Sequence, residues 1–196
     1  MSARPDTPDP EEQLLARARA GDEDAFAGLV TLHGDQVYGA LRRFGLDGHE
    51  AEEVAQEVFL RAWRGLTKFE SRARLSTWLY RIAFNEAQRR LSQRPPVPLV
   101  ELPGAREPAG SGAEARRLSP EARALDHEFA TLLERALGQL APDRRTAVIL
   151  RDIQGLSTVA AAEIVGVRPL SFKSRLHRGR MELRSLLAPY LELDEP

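Results

Sequence analysis

Between residues 93 and 119 the chain carries Pro95, Pro96, Pro98, Pro103 and Pro108, interspersed with Gly104, Gly110 and Gly112. Each proline lacks an amide donor and clashes with the preceding turn, and each glycine adds backbone entropy, so no helix propagates through such a stretch. The segment reads as an extended linker, and the residues on either side of it must build separate small cores. The expected organisation is a loose tail over residues 1–11, marked by Pro5, Pro8 and Pro10, a first domain over 12–92, the linker over 93–119, and a second domain over 120–190.

Apolar residues on both sides of the linker recur at three- and four-residue steps, the spacing of one buried helix face. In the first half, Leu14, Leu15 and Ala18 start one stripe. Phe26, Leu29, Val30, Val37, Leu41 and Phe44 form a second, entered through an N-cap at Asp22; Gly28, Gly34 and Gly39 weaken this helix and allow a kink. Asp47 and Glu50 have capping-box spacing and open a third helix with Ala51, Val54, Val58 and Ala62 on its core face. Residues 66–75 lose the period, and Ser76 or Thr77 is placed to cap a fourth helix that buries Leu79, Ile82, Ala83 and Leu91. Beyond the linker, Ser119-Pro120 is a restart signal, and helices are expected over 120–139, 142–153, 157–165 and 169–188. No strand pattern survives, so the predicted fold is all-α, two small helical domains on an extended Pro/Gly-rich linker.

Composition narrows the chemistry. There is no cysteine, which removes disulfides, thiolate metal sites and cysteine nucleophiles. The four histidines are scattered without metal-ligand spacing, no glycine-rich phosphate loop occurs, and adjacent carboxylates such as Glu52-Glu53 point apart on a helix. No catalytic residue, metal or cofactor is therefore expected. No apolar run approaches the ~18 residues of a membrane span, so the chain reads as cytoplasmic and not membrane-inserted. With 28 Lys+Arg against 29 Asp+Glu the net charge is -1, so any nucleic-acid contact must come from local patches or be shared with a partner.

One such patch lies in GLSTVAAAEIVGVRPLSFKSRLHRGR, residues 155–180. Leu156, Ala160, Ile164 and Val167 suit a short helix packed on its successor, Ser157 suits an N-cap, Gly166 a tight turn, and Pro169 the start of the second helix. That second helix divides by face: Phe172, Leu176, Leu183, Leu186 and Leu187 toward a core, and Ser171, Lys173, Ser174, Arg175 and Arg178 outward. A recognition helix requires this division, because its first turns reach base edges while Arg and Lys hold phosphates.

The first half carries two further surfaces. With Val54 and Val58 buried, Glu53, Gln56, Glu57 and Leu60 form an outward strip, acidic with an apolar centre, suited to docking a protein. Around the aperiodic segment, Arg72 and Arg74 can hold phosphates, Phe69 and Trp78 either support unstacked bases or pack inward and shape the loop, and Asn85 can pair with a base edge.

Residues 51–63, AEEVAQEVFLRAW, and 75–85, LSTWLYRIAFN, resemble regions 2.2 through 2.4 of extracytoplasmic-function (ECF) sigma factors of the sigma-70 superfamily. Lys173-Ser174-Arg175-Leu176-His177-Arg178-Gly179-Arg180 resembles the KSRLHRAR run of region 4.2 in the same family. The two motifs stand in the family's order, and the resemblance spans roughly residues 12–92 and 125–188. It implies a transcription-initiation factor. The strip Glu53, Gln56, Glu57 and Leu60 would dock on the clamp coiled coil of the largest subunit of core RNA polymerase, with a further contact at the flap. Phe69, Arg72, Arg74, Ser76, Thr77, Trp78, Arg81, Asn85 and Arg89 would bind and melt the −10 element of promoter DNA. Ser171, Lys173, Ser174, Arg175 and Arg178 would read the −35 element. The family resemblance also implies an anti-sigma partner. The sequence departs from the family at Leu170, commonly glycine, at Phe172, commonly small and β-branched, and at Phe84, often basic. The competing expectation is a free-standing helix-turn-helix regulator that binds duplex DNA without polymerase.

Overall fold

The computed structural model describes residues 9–69, 74–94 and 120–191, with side chains described outside 120–127 and 191. Residues 1–8 of the expected tail, Arg72, Ser119 and all but the first two residues of the expected linker lie outside these ranges. Among the described residues all regular structure is helical.

The first bundle comprises α1 (Pro10–Arg19), α2 (Glu23–Phe44), α3 (Gly48–Gly65), a 3-10 turn (Leu66–Lys68) and α4 (Leu75–Ser92). Helix α1 begins inside the segment expected to be tail, because the Asp9 carboxylate accepts the Glu11 amide at 3.1 Å and Pro10 pre-sets the first turn. The Asp22 side chain accepts the Ala25 amide at 2.9 Å to start α2 and also pairs with Arg17. Those bonds, the Ala25 amide first, hold its carboxyl below the usual range. Despite its glycines α2 runs unbroken to Gly45, whose left-handed φ of 116° ends it. The Asp47/Glu50 capping box forms as expected, with bonds of 2.9 and 3.0 Å. Ala51, Val54, Val58 and Ala62 of α3 are all buried.

The cap expected from Ser76 or Thr77 does not form. Helix α4 starts at Leu75 with Arg74 at its N-cap and no side-chain cap bond, leaving Ser76 and Thr77 within the first turn. The reason lies in magnitudes. Leu75 is buried, and burying a leucine contributes about 1.5–3 kcal/mol against about 1 kcal/mol for a side-chain cap.

The second bundle comprises α5 (Pro120–Gln139), α6 (Pro142–Val148) extended by one π turn (Ile149–Ile153), α7 (Thr158–Ile164) and α8 (Pro169–Leu191). Phe172 is fully buried and Leu176 nearly so. Gly179 lets α8 approach α6 closely: a Cβ there would lie 3.0 Å from the Arg144 carbonyl oxygen and 3.0 Å from Val148. Arg145 donates to the carbonyl oxygens of Gly138 and Leu140, satisfying acceptors at the end of α5. The two bundles touch. Helix α2 meets α5 and α6, α4 meets α7, and the buried apolar residues of both halves form one contiguous cluster.

Candidate promoter and polymerase interfaces

Helices α7 and α8 form the expected helix-turn-helix. The Ser157 hydroxyl accepts the Ala160 amide at 3.1 Å to start α7. Gly166, at φ 69°, makes the turn, and Pro169 opens α8. Ala161, Ala162, Ile164, Phe172 and Leu176 bury the contact between the helices. On the opposite face Ser171, Lys173, Ser174 and Arg178 are exposed. Arg175 is half-buried, 3.7 Å from the Asp143 carboxylate. Arg180 turns away from this face: its guanidinium donates to Asp152 at 2.9 Å, and that pair raises its pKa. The family departures also separate by position, since Phe172 is in the core while Leu170 is 79% exposed at the helix's first turn.

The expected docking strip on α3 is at the surface: Glu53, Gln56, Glu57 and Leu60 are all exposed, Leu60 at 49%. Glu53 pairs with Arg90 and His49, tying the strip to α4. Gln56 and Leu60 also rim an open apolar groove of about 680 Å³ between α2 and α3, lined by Phe26, Val30, Phe59 and Trp63. The rings of Phe26 and Trp63 sit 4.9 Å apart. Sequence reasoning placed Phe26 and Val30 in the core. Both share the helix face of Leu29, Val37 and Leu41 but are only half-buried, because the groove between α2 and α3 is open where they stand.

Around the start of α4, Arg74 is exposed, Ser76, Thr77 and Trp78 are half-buried, and Asn85, two turns beyond Trp78, is exposed. Phe69 is buried, with its ring 5.0 Å from Trp78 and the Arg19 guanidinium 5.7 Å above it. Of the two readings left open for this aromatic, the structure has the inward one. Arg74, Ser76 and Phe69 line a polar cavity of about 900 Å³ whose other walls include Glu11, Arg19, His33 and Gln36. Those four side chains come from α1 and α2, and no local pattern linked them to the loop. Arg89 donates to Glu86 at 2.9 Å, and Arg81 pairs with Glu163 of α7 at 2.5 Å.

Sequence comparison carries the assignment. Residues 29–95 match the family profile for sigma-70 region 2, and residues 130–183 match that for sigma-70 region 4. The chain is 35% identical over 188 residues to the RNA polymerase sigma-H factor of Pseudomonas aeruginosa, covering 94% of this chain and 97% of the relative. It is 32% identical to the ECF RNA polymerase sigma factor SigW of Bacillus subtilis, covering 90% and 96%. The chain belongs to the ECF family of RNA polymerase sigma factors.

Solved relatives agree with the sigma-factor architecture. CnrH in complex with the cytosolic domain of CnrY is 26% identical, with a TM-score of 0.63 over 95% of this chain and 100% of that one. The sigma factor RpoE of Bartonella quintana in complex with the anti-sigma factor NepR is 25% identical, with a TM-score of 0.64 over 87% and 98%. Matches to region 2 as well as region 4 set aside the free-standing regulator, which needs only the helix-turn-helix. No helix among the described residues is long and apolar enough to cross a membrane.

Proposed function

We propose that this sigma factor reads promoters through two separate faces while docked on core polymerase through a third, and that it performs no catalytic step of its own. The observation that carries this reading is the division of α8: Phe172 is fully buried while Ser171, Lys173, Ser174 and Arg178 stand exposed beside it. A helix so rooted presents a rigid polar face to the major groove. Arg175 is the candidate for bidentate guanine contact, and Lys173 and Arg178 for phosphates.

The −10 role falls to Arg74, Ser76, Thr77, Trp78, Arg81, Asn85 and Arg89, with Arg72 completing the set from outside the described residues. Phe69 acts from within, as the floor on which Trp78 rests. The polar cavity beside Arg74 and Ser76 has room for a base, and removing a base from the stack costs a few kcal/mol that such a receiving site must offset. On α3, Glu53, Gln56, Glu57 and Leu60 dock on the largest-subunit clamp coiled coil, with the groove of Phe26, Phe59 and Trp63 enlarging the apolar anchor. The second bundle takes the flap. The protein works in the cytoplasm, where polymerase and promoters are. The sigma factor RpoE of Bartonella quintana was found bound to the anti-sigma factor NepR, which supports an anti-sigma partner here.

Run-off transcription with purified core polymerase and a promoter library tests the proposal. Promoter-dependent product is expected only with this chain. Arg175→Ala is expected to change −35 selection and Asn85→Ala to impair opening. Equal transcription without the chain overturns the reading.

A further inference from the structure

Side chains on α8 differ in how directly they oppose its core. Successive residues turn by about 100°, so Ser171 and Lys173 flank the buried Phe172, whereas Leu170 and Ser174 stand nearly opposite it. Leu170 is therefore on the crest of the helix, and it is 79% exposed. Its placement is fixed: Pro169 opens α8, and the Phe172 amide donates to the Arg168 carbonyl oxygen at 3.0 Å, closing the first turn around it. The exposed side chains beside it are hydroxyls and cations: Ser171, Lys173, Ser174 and Arg178. One leucine in that setting is too little apolar surface to centre a protein interface, which needs a cluster of anchors inside a polar rim.

We propose that Leu170 is a specificity-determining residue of the −35 contact and takes a thymine by its C5-methyl group. The first turn of a recognition helix reaches base edges in the major groove. Among the four bases only thymine shows an apolar group there; the other three present donors and acceptors. An alkyl side chain offers those groups no hydrogen bond, so pressing it against them leaves a polar atom stripped of water and unpaired. Against thymine it buries a methyl instead. The discrimination has two parts: attraction to the methyl, and exclusion of bases whose polar edges the leucine would cover. Ser174, one turn along the crest, is left to hydrogen-bond the neighbouring base pair, while Lys173 and Arg178 hold phosphates. A glycine at 170, common in the family, makes no such contact.

The inference rests on α8 reading the −35 element, and the test separates the two. Core polymerase carrying the full-length chain first selects its −35 sequence from a randomised promoter library. No −35 preference at all overturns the reading of α8, and the inference with it. Each thymine of the selected element, on either strand, is then replaced in turn by deoxyuridine, which removes only the C5-methyl. One replacement is expected to weaken holoenzyme binding by about fourfold, the equivalent of one buried methyl. Leu170→Gly is expected to bind the thymine and deoxyuridine promoters equally. Leu170→Ala, which keeps the helix propensity of the first turn, is expected to lose most of the difference, and Ser174→Ala to keep it. A −35 preference with no deoxyuridine effect at any thymine overturns the inference and leaves α8 as the reader. So does a methyl effect that persists in both Leu170 variants. If those variants instead weaken assembly with core polymerase and leave promoter discrimination unchanged, Leu170 belongs to a protein contact and the inference falls.

Discussion

Helices α4 and α8 are both assigned to DNA, yet they present their cations in opposite conditions. On α8, Lys173 and Arg178 are exposed and no ion pair engages either among the described residues. On α4, Arg81 is held by Glu163, Arg89 by the buried Glu86, and Arg90 by Glu53. The contrast follows from what each helix packs against. Both helices pack against three others, but on α8 only the cations turned toward neighbours, Arg175 and Arg180, meet carboxylates, at Asp143 and Asp152, whereas on α4 Glu163, Glu86 and Glu53 engage the arginines assigned to DNA or beside them. On the outward face of α8, Lys173 and Arg178 have no ion-pair partner to give up among the described residues. The other helix must exchange existing partners for phosphates.

Substitutions can break or sharpen that contrast. The largest effect is expected from Phe172→Ala, which removes the fully buried root of α8 and costs about 3–5 kcal/mol. Chemical denaturation should show the second bundle melting early, with −35 binding lost as well. Next comes Gly179→Ala, whose new methyl meets the Arg144 carbonyl oxygen at 3.0 Å; overpacking of that kind costs about 1–3 kcal/mol. Wild-type stability for this variant would show that α6 and α8 can part freely.

A matched pair sharpens the comparison itself. Lys173→Ala should reduce the salt dependence of −35 duplex binding by about one unit of slope, since it deletes one phosphate contact. Arg89→Ala should instead lower thermal stability, because it strips one of the two cations from Glu86, which is 5% exposed and keeps only Arg61 at 3.0 Å. If both variants change only the salt slope, the contrast between the helices is wrong.

The smallest effect concerns Tyr80 on α4, whose burial pushes its hydroxyl up to about 12. The unfolded chain ionises first, near the ordinary value of about 10. Neutral Tyr80 therefore contributes stability that is complete below pH 10 and is lost as pH rises toward 12. Tyr80→Phe should flatten that alkaline loss in a pH series of melting temperatures.

Much of the fold was legible because its signals are local. The capping box at Asp47 and Glu50, the turn at Gly166 and the apolar stripes of α3 and α8 each depend on residues within four positions of one another. The start of α4 was misread because a strong local cap signal at Ser76 lost to the burial of Leu75, a tertiary effect. The groove of Phe26 and Trp63 and the cavity walls at His33 and Gln36 were missed for the same reason: they are assembled from different helices. Arg43 and Glu134, 91 positions apart, meet only once the bundles pack. Local patterns show which face of a helix is polar, and only packing shows whether its charges are already spoken for.

Phe172 sits between Ser171 and Lys173, so the anchor of α8 and the residues proposed to read the promoter share a single turn on different sides of the helix. Such an arrangement separates holding from spelling. On the proposed reading, new promoter preferences are written at 171, 173 and 174 without disturbing what fastens the helix, making this segment a natural place for a cell, or a designer, to retarget the polymerase while leaving its scaffold alone.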